Sequence, residues 1–243
     1  MGLIRLDKQY KKLFVVGCSF TDGYLVGKEA SWGTHLANKL NCECVIRGVN
    51  SSSNFNMITE VLDICESNDM TNNCIGIQLS ERNRREVWSS KKNHFLTINL
   101  PSLHVNDEEN LSDEFKFVKK NLEFFDNIWF DDKENLLKTI FSILLIKGYL
   151  ESKNIDFIMF EGISTIGEQL NFDFNERKFK TFLNQSYREN LLKDKTFFNK
   201  YGPMQPFDRT HPLFDEIENG GHPNTEFVKW WVDEMYEHIK ENQ

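Results

Sequence analysis

Two residues near opposite ends of the chain have the side chains that nucleophilic chemistry requires. Ser19 follows the apolar run Leu13 to Val16, which predicts a short buried strand. In α/β sheets, ligands bind just beyond the carboxyl ends of the strands. Ser19 is therefore a candidate nucleophile, although this stretch taken alone favours a simple turn of small residues, Gly17-Cys18-Ser19.

A serine hydroxyl needs a base to take its proton, and near neutral pH that base is usually histidine. Of the six histidines, His222 lies in a glycine-rich loop directly before a predicted terminal helix. From there its side chain can point back toward the strand ends. His211 is the main rival, whereas His35 and His238 fall within helical patterns. The residues therefore favour a pairing of Ser19 with His222.

The elements that must position this pair alternate along the chain between strand and helix. Ser31 is a predicted N-cap, and the helix at 135–150 has a predicted apolar stripe of Leu136, Leu137, Ile140, Phe141, Leu144 and Leu145. Strands are predicted at 13–16, 44–46, 74–79 and 155–160, and helices at 31–40, 57–65, 111–125, 135–150 and 225–239. The last of these helices has a predicted core-facing stripe of Phe227, Val228, Trp231, Val232, Met235 and Ile239. This alternation is typical of an α/β protein with a parallel sheet and right-handed crossovers.

The remaining segments are less regular. Residues 84–110 are charged and predict an insertion that covers or flanks the crevice. Residues 171–210 alternate Phe with charge, which indicates a surface excursion or lid. No linker divides the chain. We therefore expect a single domain over 1–243, with 84–134 and 171–210 as insertions or a lid.

Composition excludes several classes of function. With 29 Lys and Arg against 37 Asp and Glu, the net charge is −8, which disfavours nucleic-acid binding and docking on anionic lipid. The longest apolar run, 140–146, is too short to span a bilayer. Five cysteines without an export signal predict reduced thiols in the cytoplasm. The Cys42-x-Cys44 pair has no second pair at finger spacing, so no metal site is expected.

Four ordered blocks of residues resemble the SGNH (GDSL-type) hydrolases, and most of all the divergent SGNH-like proteins of tailed-phage genomes. The blocks are Gly17-Cys18-Ser19-Phe20-Thr21, Ser31-Trp32 with Leu36-Ala37, Gly48-Val49-Asn50-Ser51-Ser52-Ser53-Asn54, and His222-Pro223-Asn224. The resemblance covers roughly 13–83 and 215–240. It implies a three-layer α/β sandwich with a central parallel sheet, the flavodoxin-like SGNH hydrolase fold, with an inserted helical or irregular segment. For a viral chain, the cytoplasm would be that of the host.

The resemblance also implies roles for individual residues. Ser19 matches the nucleophile, whose backbone N–H also serves the oxyanion hole, and His222 matches the base. Ser51 or Ser52 stands where the family has a glycine that supplies the second oxyanion N–H. The third donor, an asparagine in the family, would be Arg82 or Asn83, with Asn54 as another amide that can face the site. No cofactor or metal is implied.

The chain departs from the family near the histidine. The family's aspartate lies two or three residues earlier, where this chain has Gly220 and Asn219; Glu218 and Asp215 are near but displaced. One of these residues, or none, replaces the acid.

Two functions follow from the resemblance and its departures. One is a serine esterase or deacetylase that hydrolyses a small ester, such as an O-acetylated carbohydrate, through a Ser19–His222 dyad. The other is a weakened or inactive SGNH-like module that binds a glycan or a protein, for example in a virion. A nucleotide-binding transferase is disfavoured, because no glycine-rich phosphate loop follows a strand. The oligomeric state stays open.

Overall fold

The structure is a computed structural model, and it describes part of the chain. The described residues are 2–24, 26–81, 84–89, 94–98, 116, 119–120, 132–163, 190–191, 193–201, 204 and 222–243.

A five-stranded parallel sheet forms the centre of the molecule. Its strands are β1 (Lys12–Gly17), β2 (Glu43–Gly48), β3 (Asn73–Leu79), β6 (Asp156–Glu161) and β7 (Phe197–Phe198). They are ordered β2-β1-β3-β6-β7, and every pairing is parallel. The β6 residues are all buried, as expected for a parallel sheet that helices cover on both faces. The parallel arrangement brings the carboxyl ends of the strands to one edge.

One face of the sheet is covered by α2 (Trp32–Lys39) and the carboxyl-terminal helix α5 (Thr225–Glu241). Helix α2 packs closely on the sheet: a Cβ on Gly76 of β3 would lie 2.7 Å from the Trp32 ring, so only glycine fits there. Phe160 of β6 contacts both Trp32 and Trp231 of α5, with ring centroids 4.9 and 6.0 Å apart. Bulky aromatic side chains therefore fill this half of the core.

The opposite face is covered by α3 (Asn54–Ser67) and α4 (Asp132–Ser152). Side chains from both helices meet β3 around a small apolar gap, which is lined by Met57, Val61, Ile77, Leu79, Ile143 and Ile146, among others. The result is the predicted α/β architecture, a parallel sheet between two helical layers.

The helix starts follow the capping rules that the sequence suggests. The Ser31 hydroxyl accepts a hydrogen bond from the Thr34 N–H, as predicted. Ser53 caps α3 in the same way. Asn224 caps α5 by accepting from the Phe227 N–H at 2.8 Å. The predicted stripe of α5 is buried throughout: Phe227, Val228, Trp231, Val232, Met235 and Ile239.

The predicted apolar stripe of α4 was partly wrong. Phe141 and Leu145 are 52% and 63% exposed, whereas the buried apolar side chains in the described part of the helix are Leu136, Ile140, Ile143, Ile146 and Leu150. The side chain of Leu137 lies outside the described part. The helix carries apolar residues on more than one side, so two adjacent stripes satisfy the 3.6-residue period. Packing against α3 and the sheet selects between them.

Two strand features were absent from the sequence predictions. Phe197 and Phe198, which lie within the expected surface excursion, are buried as β7, with Phe197 in register with Met159 of β6. Within the segment predicted as an insertion, β4 (Arg85–Ser89) and β5 (His94–Ile98) pair antiparallel as a separate two-stranded sheet. The described part of the predicted 111–125 helix comprises 116, 119 and 120, which are helical.

No helix in the described ranges has both the length and the apolar character needed to cross a membrane.

Candidate active site

Ser19 lies on a short, well-defined turn at the carboxyl end of β1. The strand ends at Gly17, and Ser19 begins the four-residue helix α1 (Ser19–Asp22). The N–H groups of Thr21 and Asp22 both donate to the Cys18 carbonyl at 3.0 Å, and the Tyr24 N–H donates to the Ser19 carbonyl. Ser19 is 3% exposed. The backbone therefore fixes the direction in which its hydroxyl projects.

His222 meets Ser19 from the other end of the chain. Its Nε2 atom lies 2.9 Å from Ser19 Oγ, although the two residues are 203 positions apart. The imidazole packs edge-to-face on Phe20, with centroids 4.9 Å apart, and against Tyr24 at 5.1 Å. An unprotonated Nε2 in this position can accept the Ser19 hydroxyl proton.

A buried set of polar side chains lies beneath the Ser19 turn. Gln78 of β3 and Thr21 of α1 have no exposed surface. The Thr21 hydroxyl donates to Gln78 Oε1 at 2.7 Å and accepts from Trp32 Nε1–H at 2.9 Å. Gln78 Nε2 donates to Cys18 Sγ at 3.1 Å. This contact was not predicted from the sequence. The available signal was a glutamine within the apolar strand 74–79, since a buried amide needs partners.

The loop after β2 runs beside the Ser19 turn, because Gly48 is in register with Gly17 and the Val49 N–H donates to the Gly17 carbonyl. The Ser52 N–H donates to the Val49 carbonyl at 3.0 Å, so it is committed within the loop. Ser51 has a φ of +63°, in the left-handed region that glycine favours. Of the two serines predicted as alternatives, Ser51 is thus the better match for a glycine position.

Asn54 makes two hydrogen bonds to the backbone of Ser80, directly after β3. Its Oδ1 atom accepts from the Ser80 N–H at 2.7 Å, and its Nδ2 atom donates to the Ser80 carbonyl at 3.1 Å. Asn54 is 7% exposed. Its amide therefore fastens the start of α3, and the loop before it, to the end of the neighbouring strand.

The described part of the predicted insertion contacts the same loop. Glu86 of β4 accepts from the Ser53 N–H at 3.4 Å and from the Ser53 hydroxyl at 2.5 Å, and Thr97 of β5 donates to Glu86 as well. Arg84 donates to the Ser52 carbonyl at 3.4 Å. Segments 84–89 and 94–98 therefore support the loop that carries Ser51.

Several candidate residues fall outside the described part of the chain: the third-donor candidates Arg82 and Asn83, the alternative acids Asp215, Glu218 and Asn219, and the rival base His211. Where the structure describes side chains, no three His, Cys, Asp or Glu residues are grouped so that they could hold a metal ion.

Comparison with protein-family models finds none that matches this chain, and comparison with curated proteins finds no match either. Solved structures do match. TesA is 8% identical with a TM-score of 0.50, over 96% of this chain and 100% of that one. A GDSL-like lipase from Bacteroides thetaiotaomicron is 12% identical with a TM-score of 0.47, over 96% and 89%. The acetyl xylan esterase Est2A from Butyrivibrio proteoclasticus is 15% identical with a TM-score of 0.47, over 96% and 64%.

At these identities the likeness concerns the fold. The five-stranded parallel sheet with its two helical layers is the fold of the SGNH hydrolases, as the sequence resemblance predicted.

Proposed function

We propose that this protein is a serine esterase of the SGNH type that hydrolyses a small ester, with O-acetylated carbohydrates among the candidate substrates. The observation that carries the proposal is the 2.9 Å separation of Ser19 Oγ from His222 Nε2. Hydrogen-bond reach between nucleophile and base is the first geometric requirement of such a site.

The reaction proceeds in two acyl-transfer steps. His222 Nε2 takes the hydroxyl proton while Ser19 Oγ attacks the ester carbonyl carbon. Backbone N–H groups of Ser19 and Ser51 bind the oxyanion, and Arg82 or Asn83 is the candidate third donor, because the Asn54 amide is bound to Ser80. Collapse of the tetrahedral intermediate breaks the bond to the alcohol, which leaves with the proton from His222. A water molecule, deprotonated by His222, then releases the acid from Ser19. No step uses a metal or an organic cofactor.

The proposal extends to the setting of the protein. It acts as one domain over 1–243, in the cytoplasm, on a small-molecule or carbohydrate ester, without nucleic-acid or membrane partners. The relation to SGNH-like proteins of tailed phages belongs to the same proposal and is supported by the order of the sequence blocks.

A fluorophosphonate probe and p-nitrophenyl acetate test the proposed function together. We expect the folded protein to carry the probe on Ser19 and to hydrolyse the ester. Ser19→Ala should abolish both signals, and His222→Ala should lower the rate by about 10²–10⁴-fold. Ser80→Ala is the matched control, because Ser80 is a second buried serine, 4% exposed, directly after β3. It should keep wild-type labelling and turnover.

A non-catalytic module that binds a glycan or a protein is the second candidate. It is supported by a serine, Ser51, at the position expected for an oxyanion glycine and by the engagement of the Asn54 amide with Ser80. A folded protein that is neither labelled nor active would overturn the esterase proposal and favour this module.

A further inference from the structure

Gln78 lies between the nucleophile turn and the centre of the sheet, in a position to control where Ser19 is held. It belongs to β3, not to the Ser19 turn, and it contacts that turn twice: at Thr21 through Oε1 and at Cys18 through Nε2. We propose that Gln78 is a positioning residue that holds Ser19 in line with His222, acting through Thr21 and Cys18. This inference rests on the esterase function proposed above.

The direction of each hydrogen bond follows from the donors available. An indole N–H can only donate, so Trp32 Nε1 makes the Thr21 oxygen an acceptor. The Thr21 hydroxyl keeps its proton to donate, and it donates that proton to the Gln78 carbonyl oxygen. The amide N–H₂ of Gln78 is thereby turned toward Cys18 Sγ. All three contacts are satisfied together in this orientation of the amide.

The backbone on either side leaves little space for another arrangement. A Cβ on Gly17 would lie 2.0 Å from the Thr21 hydroxyl oxygen, and a Cβ on Gly162 would lie 1.9 Å from Gln78 Nε2. Real Cβ atoms do not approach so closely, so both positions need glycine for steric reasons. Two glycines from separate strand ends, β1 and β6, thus enclose the Gln78–Thr21 pair.

The consequence for Ser19 follows from its neighbours in sequence. Cys18 precedes it and Thr21 lies two residues after it, so Gln78 binds the turn on both sides of the nucleophile. Cys18 Sγ itself lies 3.9 Å from Ser19 Oγ. Backbone bonds alone hold a four-residue helix weakly, since short helices depend on tertiary contacts. A displacement of about 1 Å of a reacting group can cost about 10²-fold in rate.

The test uses a matched pair of substitutions at Thr21. Thr21→Val preserves the shape but removes both hydrogen bonds, whereas Thr21→Ser keeps the hydroxyl. We expect Thr21→Val, and likewise Gln78→Met, to lower kcat and the probe-labelling rate by about 10–100-fold with little change in KM. Thr21→Ser should keep most of the rate. Ile75→Val, which removes a buried methyl group from the same strand, is the control for general loss of packing and should leave kcat unchanged.

Hydrogen exchange separates a failure of this inference from a failure of the esterase function. Faster amide exchange over residues 19–24 is expected in Thr21→Val, and wild-type exchange in Thr21→Ser, whether or not the protein turns over an ester. Wild-type kcat and exchange in folded Thr21→Val would overturn the inference. So would a loss of rate that is equal in Thr21→Val, Thr21→Ser and Ile75→Val, because the rate would then follow stability alone. An unlabelled wild-type protein would overturn the esterase function instead, and the exchange comparison would still decide the role of the pair.

Discussion

Replacing Asn54 by alanine distinguishes two roles for this residue that the sequence alone leaves open. An asparagine at the sheet edge can serve as an oxyanion donor, yet in the structure its amide is bound to both backbone groups of Ser80. The two roles differ in what the substitution should change. A donor that acts on the transition state affects rate, whereas a structural contact affects the free energy of unfolding.

The magnitude follows from the two hydrogen bonds. Asn54 is 7% exposed, so Asn54→Ala leaves the Ser80 N–H without its buried acceptor as well as removing the contact to the carbonyl. Two lost bonds and one unsatisfied donor together cost about 2–4 kcal/mol. For a chain of this length, that corresponds to a fall in Tm of about 4–16 °C.

The assay pairs thermal unfolding, followed by circular dichroism, with steady-state kcat measured well below Tm. Asn56→Ala is the matched control: it removes an amide of the same helix that donates to the Ser52 hydroxyl at 2.9 Å, in a part-buried site. We expect a much smaller fall in Tm for Asn56→Ala. Below Tm, Asn54→Ala should keep kcat within about tenfold of wild type, because an oxyanion donor is worth about 10²–10³-fold. An unchanged Tm combined with a hundredfold loss of kcat would refute the structural role.

Two further predictions concern ionisable groups away from the site. Burial acts to raise the pKa of the Asp194 carboxyl, but hydrogen bonds from Thr196 and Lys147 outweigh it and hold that pKa below its usual value. A lowered folded-state pKa stabilises the protein at neutral pH, and that stability is lost as pH falls through the folded value. In urea titrations, Asp194→Ala should therefore lower the free energy of unfolding by about 1–2 kcal/mol at neutral pH, and by progressively less below about pH 4. A difference between variant and wild type that persists undiminished at about pH 2 would contradict this prediction. Burial also raises the pKa of three half-buried thiols to about 11, those of Cys42, Cys44 and Cys65. They should react slowly with iodoacetamide at mildly alkaline pH until the protein is unfolded, and rapid labelling of the native protein would contradict this prediction.

The alternation of strand and helix could be predicted because each element has a local signal. The apolar run before Ser19 predicts β1, and Ser31 marks the start of α2 by its capping chemistry. The match of sequence to structure is good there because local preference and tertiary packing agree. The predicted stripe of α5 is correct for a related reason: its polar and apolar sides are clearly separated, so one face is available for burial.

The parts that could not be predicted depend on contacts distant in sequence. Strand β7 contains two residues, too few to display a period of two. The buried face of α4 depends on which of two apolar stripes meets α3, and that choice is made by packing. The Gln78–Thr21 bond joins residues 57 positions apart, and no local pattern specifies a partner at that distance. A glutamine within an apolar strand signals that its amide needs a partner, but the fold determines which one.

The two halves of the candidate site are supported by different parts of the fold. Ser19 is fixed by β1 and the buried Gln78–Thr21 contact, which belong to the core of the sheet. His222 lies two residues before the N-cap of α5, and its position therefore follows from how that helix docks. The buried stripe of α5 determines the docking, and the exposed ion pair of Lys39 on α2 with Asp233, at 2.7 Å, adds little to it. The rings of Phe20 and Tyr24 then contact the imidazole from the Ser19 side. Weakening the contact between α2 and α5 should consequently displace the base while the nucleophile turn stays intact.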